Sequence, residues 1–301
     1  MRLDLLSSYL AVRIDHVAAC PEISPPLCAE LNIPDHEHHQ RIDWLRLAPG
    51  ASVSLGRGWQ ASLQLPVDVR VLGIEYTTLD GDAYKPPYGD IHHRDEVLRG
   101  LTDGRAMVWR YTSVADRVLI GLGAGSTLPL GRTESDPFTR GARGLEHQHA
   151  QLGTGTFAPL FSVSGILFGP RWGGWLALDA RTPLYANQKG YEPPLSLGAS
   201  LGPTFRVIPD LQLMVTIDGL YETPERWNSV PHGGREGLTG SAAAIYTVSP
   251  RTVLQASGRA AIAQRALDAD DEEPLRQGLI VSAGVSWTVG RSAADDPDAL
   301  P

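Results

Sequence analysis

The sequence predicts an all-β chain: a transmembrane, antiparallel up-and-down β-barrel of about 12 strands, with short periplasmic turns and long extracellular loops. Three observations predict it: strict two-residue alternation, turn signals of two alternating lengths, and aromatic residues gathered at strand ends. The alternation is clearest from Trp59 to Val71. Trp59, Ala61, Leu63, Leu65, Val67, Val69 and Val71 are apolar, Gln60, Ser62, Gln64, Asp68 and Arg70 lie between them, and Pro66 is the exception. The last segment repeats it, with Leu279, Val281, Ala283, Val285, Trp287 and Val289 set against Ser282, Gly284, Ser286 and Thr288. Period two gives a strand one apolar and one polar face. These runs exceed the roughly five or six residues of an ordinary sheet strand. Repeated along a chain, they fit a closed wall with lipid outside and water or polar side chains inside.

Composition agrees. The chain has 301 residues, of which 42% are hydrophobic, with 32 Gly and 23 Pro, a balance suited to many turns and not to a helical protein. No apolar run reaches the length of a membrane helix, and a barrel needs none because only half of each strand meets lipid. A net charge of −8 argues against nucleic acid as a partner. The expected surroundings are outer-membrane lipid and lipopolysaccharide, with a small solute and an envelope protein as further candidate partners. After Met1 the chain enters an amphipathic strand at once (Leu3, Leu5, Ser7, Tyr9) with no export signal ahead of it. It therefore reads as a mature form; an added Met or a misplaced start would read the same.

Twelve strand segments are expected in order, at about 3–16, 41–55, 59–77, 104–114, 117–131, 151–168, 174–186, 195–207, 211–222, 239–248, 252–264 and 278–290. Short turns join them at Gly56-Arg57-Gly58, Ala115-Asp116-Arg117, Gly169–Gly173, Ile208-Pro209-Asp210 and Ser249-Pro250-Arg251. Long loops fall roughly at 17–40, 78–103, 132–150, 187–194, 223–238 and 265–277. An even count places both termini on the short-turn, periplasmic side. Residues 1–290 form one barrel domain, and the tail 291–301, with three Asp and two Pro, reads as disordered.

Trp59, Trp109, Tyr111, Phe168, Trp172, Trp175, Phe205, Tyr246 and Trp287 fall near short turns, and Tyr76, Tyr185, Tyr191 and Tyr221 near long loops. Two such belts match the interfacial girdles of a bilayer. Leu63, Leu65, Val67, Leu197, Ala199, Leu201, Leu213, Val215, Ile217, Leu254, Ala256 and Val281 are then expected to face lipid. Gln64, Asp68, Arg70, Arg110, Asp179, Arg181, Gln212, Thr216, Asp218, Gln255 and Arg259 are expected to face the lumen, either pairing with one another to fill it or lining a water path.

All nine histidines fall in or beside the long loops. His36, His38 and His39 lie in Asp35-His-Glu-His-His39, His92 and His93 in Gly89-Asp-Ile-His-His-Arg-Asp-Glu96, and His147 and His149 in a His-Gln-His, with His16 and His232 elsewhere. Alternate residues of an extended segment point the same way, so His36 with His38, and His147 with His149, each present two imidazoles to one side. With Glu37 and Asp90 interleaved, they form a candidate site for Zn, Cu, Ni or Fe. The plain alternative is that polar loops simply tolerate histidine. The acidic run Asp268–Glu273 reads as a solvated loop tip or a cation bridge to lipid headgroups. Cys20 and Cys28, the two cysteines of the chain, sit in the first long loop and are expected to pair as a disulfide in an oxidising compartment.

No enzyme is expected. Ser24, Ser135 and Ser229 lie near loop histidines without a spacing that singles one out. Gly121-Leu-Gly-Ala-Gly125 and Gly153-Thr-Gly155 are not phosphate loops, because they read as strand with no helix following; glycine there would permit tight curvature.

Leu122-Gly-Ala-Gly-Ser-Thr-Leu-Pro-Leu-Gly131, then Gln148 to Thr156, then Trp175 to Tyr191 resembles bacterial outer-membrane channel proteins grouped with the transporter-like barrels of phenol meta-cleavage pathways. The likeness spans about residues 105–290. It implies a membrane barrel that passes a small solute. The His-rich first two loops lie outside that pattern and favour a polar solute or divalent metal over an aromatic hydrocarbon. Two other expectations stand beside this one: a closed structural or partner-binding barrel of an envelope assembly, and a hydrolase at the barrel rim.

Overall fold

The alternating strands close on themselves. The structure, a computed structural model, describes residues 1–18, 30, 32–87, 95–267 and 276–290. In chain order the elements are β1 (Arg2–Ala18), β2 (His36–Gly56), β3 (Trp59–Gln64), β4 (Val67–Thr78), β5 (Glu96–Leu101), β6 (Gly104–Ala115) and β7 (Val118–Leu128). A short helix α1 (Pro137–Gly141) precedes β8 (Pro159–Leu167), β9 (Trp172–Arg181), β10 (Tyr191–Glu192), β11 (Ser196–Ile208) and β12 (Leu211–Glu222). Then come β13 (Glu225–Trp227), β14 (Val230–His232), β15 (Arg235–Ser249), β16 (Thr252–Ala266) and β17 (Arg276–Thr288). β10, β13 and β14 form a small separate sheet in the long-loop region, and the other strands form the wall.

β2 pairs with β3 through its second half and with β4 through its first, so β3 and β4 are one wall strand interrupted at Leu65-Pro66. β5 and β6 are likewise one strand interrupted at Thr102-Asp103. The 14 strands of the sheet thus make a closed 12-strand barrel. β1 closes it, pairing with β2 on one side and β17 on the other. Met1 and Val289 exchange backbone hydrogen bonds of 3.1 and 2.7 Å, which puts both ends of the wall at the short-turn side. The five short turns fall where the sequence places them. At the first, Arg57 and Gly58 both adopt positive φ (51° and 77°), the primed-turn geometry that matches strand twist.

Several segments differ from the sequence reading, and three of them bear on the lumen and its mouth. β2 begins at His36, so the His36–His39 run is strand and not loop. Glu96–Leu101 is strand, because it pairs with β4 along Val67–Leu72. Residues 151–158 are not strand: β8 starts at Pro159, and the preceding segment turns into the barrel.

The wall is apolar outside. Leu201 and Ile217 are 64% and 57% exposed, whereas the lumen-facing Thr216 and Asp218 are 4% and 9% exposed. A water-soluble domain would show the reverse. Trp59, Phe168, Trp172, Tyr246 and Trp287 form an exposed outer belt at the short-turn end, and Tyr185 and Tyr221 are exposed towards the other end. Trp109, Tyr111 and Trp175 depart from the expected belt. Trp109 and Tyr111 occupy inward positions of β6 and stack at 5.9 Å, and a Cβ at Gly123 or Gly121 would come within 2.8 or 2.7 Å of their rings. Glycine on β7 therefore makes room for aromatic side chains inside the barrel.

Cys20, Cys28, the acidic run from Asp268 and the tail 291–301 lie outside the described residues. Among the described residues, no helix is long and apolar enough to cross a membrane.

Ile217→Arg puts a charge on the lipid face near the middle of β12. It should lower unfolding stability in lipid vesicles by about 2–4 kcal/mol, with little effect expected from Gln212→Arg on the lumen face. Denaturant unfolding of the two variants in vesicles checks the assignment of faces.

Candidate functional site

Parity along the strands decides which polar groups meet in the lumen. On β2 the even positions point inward, on β4 they continue through Asp68, Arg70 and Leu72, and on β12 through Thr216 and Asp218. Asp68 is fully buried. Arg46 binds it through two bonds of 2.8 and 3.0 Å, and Arg70 through one of 2.9 Å. Both guanidinium groups also lie over the Trp44 ring, at 5.0 and 4.0 Å. A buried carboxylate is stable only with such partners, and removing one side of such a group costs about 3–5 kcal/mol.

Two further charged groups face the lumen. Asp218 is bonded by Thr216 at 3.2 Å and by Ser241, with Arg259 at 3.5 Å. Glu222 lies between Arg181 at 3.5 Å and Arg235 at 2.7 Å. The expected lumen residues Asp68, Arg70, Asp179, Arg181, Asp218 and Arg259 thus sit on the inner face. Arg110 does not. It shares a register row with Trp59 and the exposed Leu122, and its guanidinium lies 5.7 Å from the Trp59 ring. Inward positions on β6 belong to Arg105, Met107, Trp109 and Tyr111, so Arg110 points outward near the short-turn end.

The connection from β7 to β8 enters the barrel. Arg70 donates to the Gln151 carbonyl at 3.0 Å, and Leu152 packs against the inward Leu72 and Leu98. Asp103, at the break between β5 and β6, accepts from Gly131 N at 3.1 Å, Thr154 N at 2.7 Å and the Thr154 hydroxyl at 2.6 Å. Gly131 and Gly153 touch there, and a Cβ on either would come within 2.6 Å of the other. Below this segment lies a cavity of about 1050 Å³, bordered by Gln64, Arg105, Asp179, Ser200, Gln255 and Arg259 among others. Asp103 and the inward turn were not read from the sequence. Their contacts join residues 51 apart, and the one local signal was Pro66 in an otherwise alternating run.

A cap covers the segment. Asp136 begins α1, accepting from Phe138 N at 2.9 Å and Thr139 N at 3.1 Å, and Asn228 of the β13–β14 hairpin donates to it at 2.6 Å. Tyr191 donates to Glu225 at 2.9 Å and Trp227 donates to the same carboxylate at 3.2 Å. Burial, aided by the Glu222 charge, holds Glu225 above the usual 4.5 despite those bonds. Asp136 goes the other way. Burial raises it, but the bonds from Thr139, Asn228 and Phe138 outweigh that and hold it below the usual 3.8.

The histidines divide into separate groups. His36 and His38 are fully buried on the inner face of β2, with their Nε2 atoms 2.9 Å apart and the rings of Tyr76 and Tyr84 beside them. Pro34 O lies 2.8 Å from His36 Nδ1, and a carbonyl only accepts, so Nδ1 carries a proton and Nε2 is the atom directed at His38. His39 and Glu37 lie on the opposite face of the same strand, where His39 contacts Asp15 at 3.0 Å and Glu37 at 3.5 Å. His147 and His149 lie 5.2 Å apart beside α1, where Phe138 stacks on His232 at 3.5 Å. Asp90, His92 and His93 lie outside the described residues. Among the described residues, no group of three or more His, Cys, Asp or Glu is placed to hold a metal ion.

No family model and no curated protein matches the sequence. Among solved structures, the COG4313 outer membrane channel from Pseudomonas putida F1 superposes with a TM-score of 0.58 over 95% of this chain and 94% of that one, at 12% identity. The fold is that of an outer-membrane channel. The NanC porin (TM-score 0.45, 9% identity, 93% and 100% covered) and a FadL homologue from Pseudomonas aeruginosa (0.43, 9%, 95% and 90%) are more distant. The chain is an integral outer-membrane barrel.

The raised Glu225 has a definite sign. A carboxyl whose folded value lies above its unfolded value stabilises fully below the unfolded value, and that contribution is lost as pH rises through the folded one. The lowered Asp136 stabilises above its unfolded value and loses that effect only in stronger acid. Hydrogen exchange at Tyr191 and Trp227, corrected for intrinsic rates, should therefore be slower near about pH 4 than near pH 8. Glu225→Gln should remove most of that difference.

Proposed function

We propose that the barrel is a passive outer-membrane uptake channel for a small solute, with its path through the lumen. The observation that carries this reading is the cavity of about 1050 Å³, which polar side chains from strands all round the wall border. A barrel that served only as an anchor would have no need of such a chamber. The volume lies at the upper end of the range for small-molecule sites. The segment around Gln151–Thr154 narrows the extracellular end and restricts what enters. Mechanistically, solute enters beside this segment, exchanges water for the Gln, Ser, Thr and Arg groups of the lumen, and leaves by diffusion towards the periplasm.

Purified barrel in planar bilayers should show a small, steady conductance. Replacing residues 147–153 with a short Gly-Ser linker should raise it severalfold, because Leu152 and Gln151 no longer occupy the mouth. No current from either protein would overturn the proposal in favour of a closed structural barrel.

The His36–His38 pair favours one addition to this reading: a divalent transition metal, Zn or Cu, held at the extracellular end of the lumen. A metal-ligating histidine has its other ring nitrogen held by a carbonyl, as Pro34 O holds His36 Nδ1, and an ion between His36 and His38 would replace the hydrogen bond that now joins their Nε2 atoms. Titration with Zn²⁺ and Cu²⁺ should show binding that the His36→Ala/His38→Ala double variant weakens by about 10-fold or more, at least what loss of an orienting partner costs. Equal affinity in the two proteins would exclude this pair as a metal site.

A further inference from the structure

The lumen charges do not balance pair for pair. The carboxylates nearest the cavity are each engaged: Asp68 by Arg46 and Arg70, Asp103 by Gly131 and Thr154, Asp179 by the Ser162 hydroxyl, Asp218 by Ser241 and Arg259, and Glu222 by Arg181 and Arg235. Two of these carboxylates serve two arginines each. Of the arginines that border the cavity, Arg105 is left over. It projects from β6 into the cavity, exposed to it, and makes no hydrogen bond or ion pair with another described residue. The charged groups whose fields reach it are Asp179 on one hand and Arg46 and Arg181 on the other.

An ionised side chain at membrane depth is costly unless water or a partner meets it. Here the protein supplies two like charges and one carboxylate already bonded to Ser162. The guanidinium keeps its planar set of five N–H donors, the fork that binds a carboxylate through two parallel bonds. Arg46, Arg70, Arg105, Arg181 and Arg235 outnumber Asp68, Asp179 and Glu222, and a site with such an excess of cations attracts an anion from solution, the low-dielectric wall strengthening that field.

We propose that Arg105, flanked by Arg46 and Arg181, is the recognition site for the carboxylate of a small organic anion passing through the lumen. The inference rests on the channel reading and names the class of solute. Arg105 holds the carboxylate, and Arg46 and Arg181 add the long-range attraction. Their bonds to Asp68 and Glu222 keep them in place without neutralising them both.

Three probes share one ring and differ in charge: benzoate, benzamide and benzylammonium. Binding to the purified barrel in detergent is read from tryptophan fluorescence, since Trp175 borders the cavity and Trp44 lies against Arg46 and Arg70. Saturable binding of benzoate, at least tenfold tighter than of the other two, is the expected result. Arg105→Gln should abolish that preference and Arg105→Lys should keep part of it. Arg105 has no protein partner to lose, and gel migration of unheated protein confirms that each variant still closes. In planar bilayers under a KCl gradient, the reversal potential should show anion preference in the parent, reduced by about threefold or more in Arg105→Gln, as removal of one full charge from a confined lumen implies. Equal binding of benzoate and benzamide, or an Arg105→Gln variant identical to the parent in both assays, overturns the inference. Benzoate binding without any current would leave the carboxylate site standing and overturn the channel reading. Current without charge discrimination would do the opposite.

Discussion

Within a bilayer every backbone N–H and C=O must be satisfied by the chain itself, and this constraint governs the rest of the molecule. β1 meets it by pairing with β2 from Arg2–Ser52 to Ala18–His36 and with β17 along its other edge, which leaves no open edge at the seam. Closure fixes parity, because a one-residue slip would turn every side chain to the other face. Parity then places Leu201 and Ile217 in lipid and Asp68, Thr216 and Asp218 inside. The chemistry of the lumen is therefore a consequence of the hydrogen-bonding of the wall.

The two interruptions of the wall show how that constraint is met locally. At Pro66, which has no N–H to give, Leu65 N still reaches Pro49 O at 3.0 Å and Thr102 N reaches Pro66 O at 3.0 Å. The parity of the outward Leu63, Val67 and Val69 passes through the break unchanged. At the neighbouring interruption Asp103 leaves the ladder, and its carboxylate takes up the backbone of Gly131 and Thr154. The same break that ends β5 thus anchors the segment that narrows the mouth. Thr127 completes the anchorage, accepting from Ala158 N at 2.8 Å through the hydroxyl that it donates to Thr156 O at 3.1 Å.

Much of the wall was legible because period two is a local signal. The short turns, the number of strands and the lumen positions Asp68, Asp179, Asp218 and Arg259 all follow from it. Arg110 was misplaced because β6 carries arginine on both faces: Arg105 points inward with Trp109 and Tyr111, which lie over glycine, and Arg110 points outward, so side-chain chemistry alone does not reveal the phase there. The histidine run Asp35–His39 was read as loop because a strand that rises beyond the bilayer needs no apolar face. Once it is strand, His36 and His38 separate from Glu37 and His39 by parity, and one apparent cluster becomes two. The inward segment rests on contacts between residues such as Arg70 and Gln151, 81 positions apart, which no local pattern encodes.

The lumen is graded along its length. At its extracellular end Leu72, Leu98 and Leu152 pack together, and the polar inward segment lies beside them under the α1 and β13–β14 cap. Around Arg105 the wall is rich in Arg, Asp, Gln, Ser and Thr. Towards the short turns Ile166, Trp175, Met214 and Ile245 border a smaller cavity of about 310 Å³ together with Arg206 and Gln212. A solute that leaves the arginines therefore enters a region where apolar contact replaces ion pairing. Transfer without an energy source needs sites of modest and comparable affinity, since one deep site would retain the solute. Binding a carboxylate through Arg105, the one guanidinium bordering the larger cavity that holds no partner among the described residues, keeps that affinity moderate. The pairing of the other arginines around the larger cavity is thus what lets Arg105 act on a solute and release it.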